Sequence, residues 1–174
     1  YLTCIENKIT QLDNLPASLK ILRCMRNLIT QLDHLPMEME ILWCGENNIT
    51  QLDHLPPNLR ELYCGKTKCK TMDHLPSSLK ILFMGINNVA QLDNLPPSLQ
   101  TLLCDANDIT NLDNLPLNLI KLSCDDNYII HSLNNLPASI EHLSCANTGI
   151  TEVPKLPVNI DFLDIGRNNL VSMD

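Results

Sequence analysis

A unit of 20 residues recurs along the whole chain, and this period constrains the fold more than any other feature. The pentapeptide Leu-Asp-Asn-Leu-Pro begins at Leu12, Leu92 and Leu112, and Leu-Asp-His-Leu-Pro begins at Leu32 and Leu52. The full unit reads L-x-x-L-x-C-x-x-N-x-I-T-x-L-D-x-L-P-x-x, and its positions are numbered 1 to 20 below. Because so short a unit cannot bury its own apolar side chains, consecutive units must stack as coils around one shared core.

The residue type at each position predicts the path of one coil. Leu at position 4 and Cys at position 6 alternate with polar or variable residues, which is typical of a half-buried strand. Asn at position 9 suits a turn and can bond neighbouring backbone, so stacked Asn residues predict a ladder. Pro at position 18 argues against a helical return arm. The units begin at Leu19, Met39, Leu59, Leu79, Leu99, Leu119, Ile140 and Ile160.

These features predict one domain, residues 1–174, built of about nine stacked units that are incomplete at both ends. Its fold is expected to be a right-handed solenoid with little or no α-helix. A parallel sheet covers the concave face, and the return arms are extended or polyproline-like. Since neither end carries a polar capping unit, we expect the chain to be part of a larger protein or to self-associate through its ends.

The unit resembles the shortest class of leucine-rich repeats. Bacterial effectors secreted by pathogens carry L-P-x-L-P-x-x-L-x-x-L-x-V-x-x-N-x-L units, and the leucine-rich repeat proteins of amoeba-infecting giant viruses are also similar. Leu-Pro-Ser-Ser-Leu at Leu75 and Leu-Pro-Pro-Ser-Leu at Leu95 carry the second similarity. The resemblance implies a protein-binding scaffold acting in a host cytoplasm. Some bacterial relatives add a separate ubiquitin-ligase domain, so the recognition arm of such an effector is an alternative.

Composition and motifs exclude several functions. Acidic residues outnumber basic ones 20 to 12, which argues against binding to nucleic acid or to an anionic membrane. No apolar run approaches the length of about 20 residues that spans a bilayer. The chain has no nucleophile elbow, no phosphate-binding loop, no paired His-Glu zinc motif and no C-x-x-C. We therefore expect a non-enzymatic protein without a cofactor.

Cysteine use predicts a reduced, cytoplasmic protein. The position-6 slot also accepts Met84 and Ile165, so it is an apolar core slot, and Cys69 occupies the aliphatic position 11. Free thiols in this slot imply a reducing compartment. Disulfides and a metal site are the weaker alternatives. The seven cysteines at position 6 are Cys4, Cys24, Cys44, Cys64, Cys104, Cys124 and Cys145.

The aromatic residues point to a binding surface. The chain has only six, and five of them fall at positions 3 and 5, which flank the buried Leu and face the concave side. Position 7 is Gly in three of these coils, which predicts open space beside the rings. A contiguous apolar patch marks a partner site, although stacking within the sheet is an alternative. The predicted partner-binding residues are Ile21, Arg23, Ile41, Trp43, Tyr63, Ile81, Phe83 and Leu103.

Two groups of charged residues leave alternatives open. Asp105, Asp125, Asp126, Asp161 and Asp164 make the far end of the same face acidic, which indicates either a solvated surface or a site that attracts a basic partner segment. Asp at position 15 recurs from Asp13 to Asp113, and His follows it at His34, His54 and His74. The Asp residues are typical of local backbone caps. A metal-binding Asp/His ladder is the alternative.

Overall fold

Nine short strands lie side by side in one parallel sheet in the computed structural model, which describes residues 1–153 and 155–172. Strand order follows chain order, and the register advances by one unit per strand, so that Leu22 lies beside Leu42. The described part of the chain contains no helix, and therefore none long and apolar enough to cross a membrane. The strands are β1 (Leu2–Thr3), β2 (Ile21–Arg23), β3 (Ile41–Trp43), β4 (Glu61–Tyr63), β5 (Ile81–Phe83), β6 (Thr101–Leu103), β7 (Lys121–Ser123), β8 (His142–Ser144) and β9 (Phe162–Asp164).

The predicted core slots form one continuous aliphatic and sulfur-containing core. Leu62 at position 4 and Cys64 at position 6 are fully buried, and so are their counterparts in most coils. Each coil contributes a few of these side chains, and the next coil covers them. Removing one such Leu side chain costs about 2–5 kcal/mol because the neighbours cannot close the cavity.

Proline at position 18 starts a turn that returns the chain to the sheet, as the sequence indicates. The N–H of Leu19 donates to the carbonyl of Pro16 at 2.9 Å, and the N–H of Leu59 donates to that of Pro56 at 3.1 Å. The rest of the return arm is extended and turn-like. The prediction of a solenoid with extended return arms is therefore confirmed.

The asparagine ladder is also confirmed. The buried Asn47 amide donates to the carbonyls of Cys24 and Cys44 at 3.0 and 2.9 Å, and its Oδ1 accepts the N–H of Ile29 at 3.0 Å. One side chain thus satisfies backbone groups in two coils. Where Thr67 replaces Asn, its hydroxyl donates to the position-6 carbonyl of its own coil at 3.1 Å.

Positions 8 and 16 adopt left-handed backbone in most coils. At position 16 the φ angles lie between 58° and 67°, in a region that Asn and His tolerate better than most residues. This conformation explains why these two residue types alternate in that column. The residues are Asn14, His34, His54, His74, Asn94 and Asn135.

Candidate protein-binding face

A row of stacked side chains crosses the face of the sheet that points away from the core. The ring centroids of Trp43 and Tyr63 are 4.7 Å apart with a tilt of 47°, and those of Tyr63 and Phe83 are 4.3 Å apart and nearly parallel. In-register parallel strands place equivalent side chains about 4.8 Å apart, which is close to the spacing of stacked rings. The repeat itself therefore aligns the rings.

Arg23 extends this row toward the N-terminus. Its guanidinium lies 4.0 Å from the centroid of the Trp43 ring and 5.5 Å from that of Tyr1. Its Nη1 also donates to the Tyr1 hydroxyl at 3.3 Å. Sequence reasoning counted Arg23 among the face residues but missed its place between two rings. We call the row Tyr1, Arg23, Trp43, Tyr63 and Phe83 the aromatic stack.

All eight predicted binding residues lie on this face, and each is half-buried. The sequence treated the two columns as solvent-facing, but neighbouring side chains cover much of each ring. Two polar atoms in the stack, Arg23 Nε and Trp43 Nε1, are buried without a hydrogen-bond partner in the described part of the chain. Burial raises the pKa of the Tyr63 hydroxyl, and the neighbouring Glu61 carboxylate raises it further.

A cavity of about 320 Å³ runs beside the stack, across five coils. Glycine backbone forms its floor, position-5 side chains form one wall, and position-8 side chains form the other. Met25 and Asp105 lie at its two ends. We call this cavity the glycine trench, and its floor and walls are Gly45, Gly65, Gly85, Tyr63, Phe83, Leu103, Glu46, Lys66 and Ile86.

The floor glycines have a structural reason beyond the open space that the sequence predicts. A Cβ atom on Gly45 would lie 2.7 Å from the carbonyl oxygen of Gly65, which is too close for any real contact. The corresponding distance at Gly65 is 3.0 Å, and at Gly85 it is 3.1 Å. Close approach of the coils therefore requires glycine at Gly45 and leaves little room for a side chain at Gly65 and Gly85, and the trench is one consequence of it.

Sequence reasoning missed the position-8 wall of the trench, and Ile86 is the apolar residue of that wall. Position 8 has φ between 52° and 58°, and Ile86 adopts 58° although its β-branched side chain disfavours this region. Its side chain is 54% exposed, so core packing does not require it. The signal was present in the sequence, because Ile86 is the one large apolar residue in a column otherwise made of polar residues and Ala106.

The acidic end of the face is partly built into the backbone. Asp105 Oδ1 accepts the Ser123 hydroxyl at 2.5 Å and the N–H of Asp125 at 3.0 Å. Asp125 repeats the arrangement with Ser144 and Ala146 in the next coil. Burial raises the pKa of the Asp105 carboxyl, while the hydrogen bond from Ser123 opposes that shift. These two carboxylates are therefore structural acceptors as well as a source of negative charge.

Solved structures with the same architecture include bacterial repeat proteins. The chain is 31% identical to YopM from Yersinia enterocolitica WA-314, with a TM-score of 0.76 over 95% of this chain and 41% of that one. It is 30% identical to the functional domain of InlJ from Listeria monocytogenes, which includes a cysteine ladder, with a TM-score of 0.85 over 98% of this chain and 40% of that one. This chain is a leucine-rich repeat solenoid, and its 20-residue repeats are consistent with the bacterial effector type.

A third match shows the fold alone. The leucine-rich repeat domain of a Shigella effector is 24% identical, with a TM-score of 0.67 over 98% of this chain and 70% of that domain. The chain spans about two fifths of the YopM and InlJ structures. No protein-family model and no curated protein matches the sequence. The similarity to giant-virus repeat proteins stays a prediction.

The Asp/His column of this leucine-rich repeat solenoid binds side chains of the next coil. Asp53 Oδ1 lies 3.2 Å from Nδ1 of His74, and Asp93 Oδ1 accepts the Asn114 amide at 3.0 Å. The predicted backbone caps are therefore replaced, in these coils, by bonds between side chains. Within residues 1–153 and 155–172, no three His, Cys, Asp or Glu side chains are arranged to hold a metal ion.

The cysteines form a ladder along the core. Seven of the eight are fully buried, and Cys4 is partly exposed. All eight are free thiols in the structure. Burial raises the pKa of the Cys24 and Cys145 thiols to about 12, so these thiols stay protonated at neutral pH.

Proposed function

We propose that the solenoid recognises a partner protein on its concave face, with Trp43, Tyr63 and Phe83 as the central anchors and Ile41 and Ile81 beside them. Leucine-rich repeat neighbours support a protein-interaction scaffold in general. The observation that carries the proposal is the continuous apolar surface of the aromatic stack and the adjoining trench of about 320 Å³. A rigid sheet presents this surface ready-made, so little conformational entropy is lost on docking.

Two features of this face reduce the stability of the isolated chain and support a role beyond folding. Buried N–H groups without acceptors, as at Arg23 and Trp43, cost about 1–3 kcal/mol each. Ile86 adds strained backbone of order 1 kcal/mol at an exposed side chain. Strain of this kind collects at functional sites, and here it lies along one edge of the apolar surface.

The charge pattern suggests the orientation of the partner. The apolar surface ends at Asp105, and Asp125 and Asp126 lie in the next coil. A basic segment of the partner would meet these carboxylates once the apolar contact has formed. The electrostatic field of the carboxylates would also accelerate the association of such a partner. We further propose that binding takes place in a reducing compartment such as the cytoplasm, where the thiol ladder is stable.

The proposal is tested by selecting binders from a random-peptide display library on the immobilised wild-type chain. The affinity of each binder is then measured for Tyr63→Ala and for Leu117→Ala, whose exposed side chain lies outside this face. Truncating a central anchor costs about 2 kcal/mol or more, which is roughly a thirtyfold loss of affinity. Leu117→Ala should bind like the wild type.

Thermal unfolding of the same variants separates binding from folding. Tyr63→Ala should retain a midpoint close to that of the wild type, whereas Leu62→Ala, which opens a core cavity, should lower it clearly. Selected peptides that bind Tyr63→Ala as tightly as the wild type would overturn the proposal. So would a Tyr63→Ala chain that unfolds as easily as Leu62→Ala, because the stack would then be structural.

A further inference from the structure

Backbone donors line the floor of the glycine trench, and no acceptor in the described part of the chain binds them. In the trench coils each position-7 carbonyl already accepts the position-8 N–H of the preceding coil, at 2.8–3.1 Å. In contrast, the N–H groups of Gly65, Gly85 and Asp105 donate to no acceptor among residues 1–153 and 155–172. All three residues are partly exposed, so an occupant of the trench can reach them.

The acidic end shows what these N–H groups bind elsewhere in the same column. There the position-7 carboxylate of one coil accepts the position-7 N–H of the next, at 3.0 Å for Asp105 to Asp125 and at 2.7 Å for Asp125 to Ala146. Glycine has no such side chain. A Cβ atom built on Gly45 would lie 3.5 Å from the Gly65 nitrogen, so position 7 of one coil is next to the position-7 N–H of the following coil, and glycine supplies no acceptor there.

The trench floor therefore offers donors without free acceptors, between an apolar wall of position-5 side chains and a wall where Ile86 follows the paired charges of Glu46 and Lys66. An occupant must supply acceptors, and any N–H of its own would stay unpaired there, at a cost of about 1–3 kcal/mol when buried. Proline meets both conditions, because it has a carbonyl but no N–H. Its ring is also apolar and fits beside Phe83 and Ile86.

The spacing of the donors fits a polyproline II helix. The N–H groups of Gly65 and Asp105 are two coils apart, which is about 9.6 Å for strands spaced about 4.8 Å. A polyproline II helix rises about 3.1 Å per residue with three residues per turn, so its carbonyls recur on one side about every 9.3 Å. The same-side carbonyls of a β-strand recur at about 6.7 Å, which does not match the distance of about 9.6 Å between the two N–H groups.

Charge determines which residue should come after the prolines. Glu46 on the trench wall is paired with Arg26 and Lys66 at 3.0 and 3.7 Å, which leaves that wall nearly neutral. The Asp105 end has no such basic partner among the described residues, and Asp125 and Asp126 add to its negative charge. A Lys or Arg beside the last proline would complement this end.

We propose that the glycine trench binds a polyproline-type segment of the partner with a basic residue at the Asp105 end, an inference that rests on the proposed function of this face. The five coils from Met25 to Asp105 cover about 19 Å, which corresponds to about six residues of polyproline II. The carbonyls of the segment accept from the trench floor, and the aromatic stack and Ile86 hold the rings.

The test is a titration of the ¹⁵N-labelled chain, monitored by NMR, with a capped peptide of nine prolines and two C-terminal lysines. The amides of Gly65, Gly85 and Asp105 should show the largest saturable shifts. A peptide of alternating alanine and glycine with the same two lysines should bind at least tenfold more weakly. Replacing the lysines by glutamates should also weaken binding. Equal binding of the proline and alanine-glycine peptides would overturn the inference.

A matched pair of variants tests the floor donors. Gly85→Asp and Gly85→Ala add the same Cβ atom, 3.1 Å from the Asp105 carbonyl, but only aspartate can accept the Asp105 N–H. We expect Gly85→Asp to weaken the proline peptide at least tenfold relative to Gly85→Ala. Equal affinities would contradict the inference, and the wild-type titration decides it independently if either variant folds poorly.

The two proposals can fail separately. If the proline peptide does not bind while display-selected binders still lose affinity for Tyr63→Ala, only the choice of occupant is wrong. If neither the proline peptide nor any selected binder depends on Tyr63, the proposed face itself is wrong.

Discussion

Replacing Asn107 by alanine should destabilise the solenoid by about 3–5 kcal/mol. The Asn107 amide donates to the carbonyls of Met84 and Cys104 at 3.1 and 2.9 Å, and its Oδ1 accepts the N–H of Val89 at 3.1 Å. The side chain is only 5% exposed, so water cannot replace these bonds. Each buried group left without a partner costs about 1–3 kcal/mol.

A matched threonine variant refines this expectation. Thr67 and Thr148 occupy the same slot in other coils, and each hydroxyl donates to the position-6 carbonyl of its own coil. Asn107→Thr should therefore keep the bond to the Cys104 carbonyl, lose the other bonds, and lose roughly half as much stability as Asn107→Ala. Asn88→Ala serves as the control, because Asn88 is exposed and makes a single long bond of 3.4 Å.

The measurement is urea unfolding of the three variants, monitored by circular dichroism. The slope of the unfolding free energy against urea should stay constant if the chain still unfolds as one unit, since that slope reports the surface exposed on unfolding. An Asn107→Ala chain within about 1 kcal/mol of the wild type would refute the ladder argument. A threonine variant less stable than the alanine variant would refute it equally.

Three other sites give further predictions. Ile86→Asn should raise the free energy of unfolding by about 1 kcal/mol, because asparagine tolerates the φ of 58° better than a β-branched residue. A variant less stable in urea than the wild type would contradict this. In the native chain at pH 8, a thiol reagent should modify Cys4 rapidly and the seven buried cysteines only on unfolding. All eight cysteines should react in denaturant. Rapid modification of several thiols in the native chain would show that the core is open. Burial raises the pKa of the Asp105 carboxyl, so this carboxyl holds its proton more tightly in the folded chain than in the unfolded chain. The contribution of Asp105 to the unfolding free energy should therefore fall as pH rises from about 3.9 through the raised pKa. The unfolding free energy of the wild type minus that of Asp105→Asn should decline across this range, and a pH-independent difference would count against the shift.

The internal period was sufficient to predict the architecture. Leu at position 4, Cys at position 6, Asn at position 9 and Pro at position 18 each have a local physical requirement that recurs in nearly every coil. A parallel register one unit apart is the arrangement that places all of these columns together, so Leu22 lies beside Leu42 and Asn47 spans two coils. The two missing positions in the ladder were also foreseeable, because Thr67 and Thr148 replace Asn in the sequence.

The details of the face depended on distances between neighbouring coils, which a sequence does not contain. Residue type alone placed Trp43, Tyr63 and Phe83 in one column but could not show that ring contact would leave them half-buried. The interpretation of the position-15 aspartates as backbone caps was wrong where Asp53 and Asp93 bind position-16 side chains of the next coil, because the stacking of coils brings those side chains within hydrogen-bond distance.

Sequence alone therefore determined the solenoid and its core columns, because each arises from a requirement that nearly every unit repeats. Only the tertiary structure decided the roles of the non-repeating residues. Gly45 is required by a carbonyl 2.7 Å from its missing Cβ, Ile86 is held in strained backbone at the trench wall, and the N–H groups of Gly65 and Gly85 are left without acceptors among the described residues. These properties arise where one coil meets the next, and their physical cause is the close packing of coils whose side chains differ.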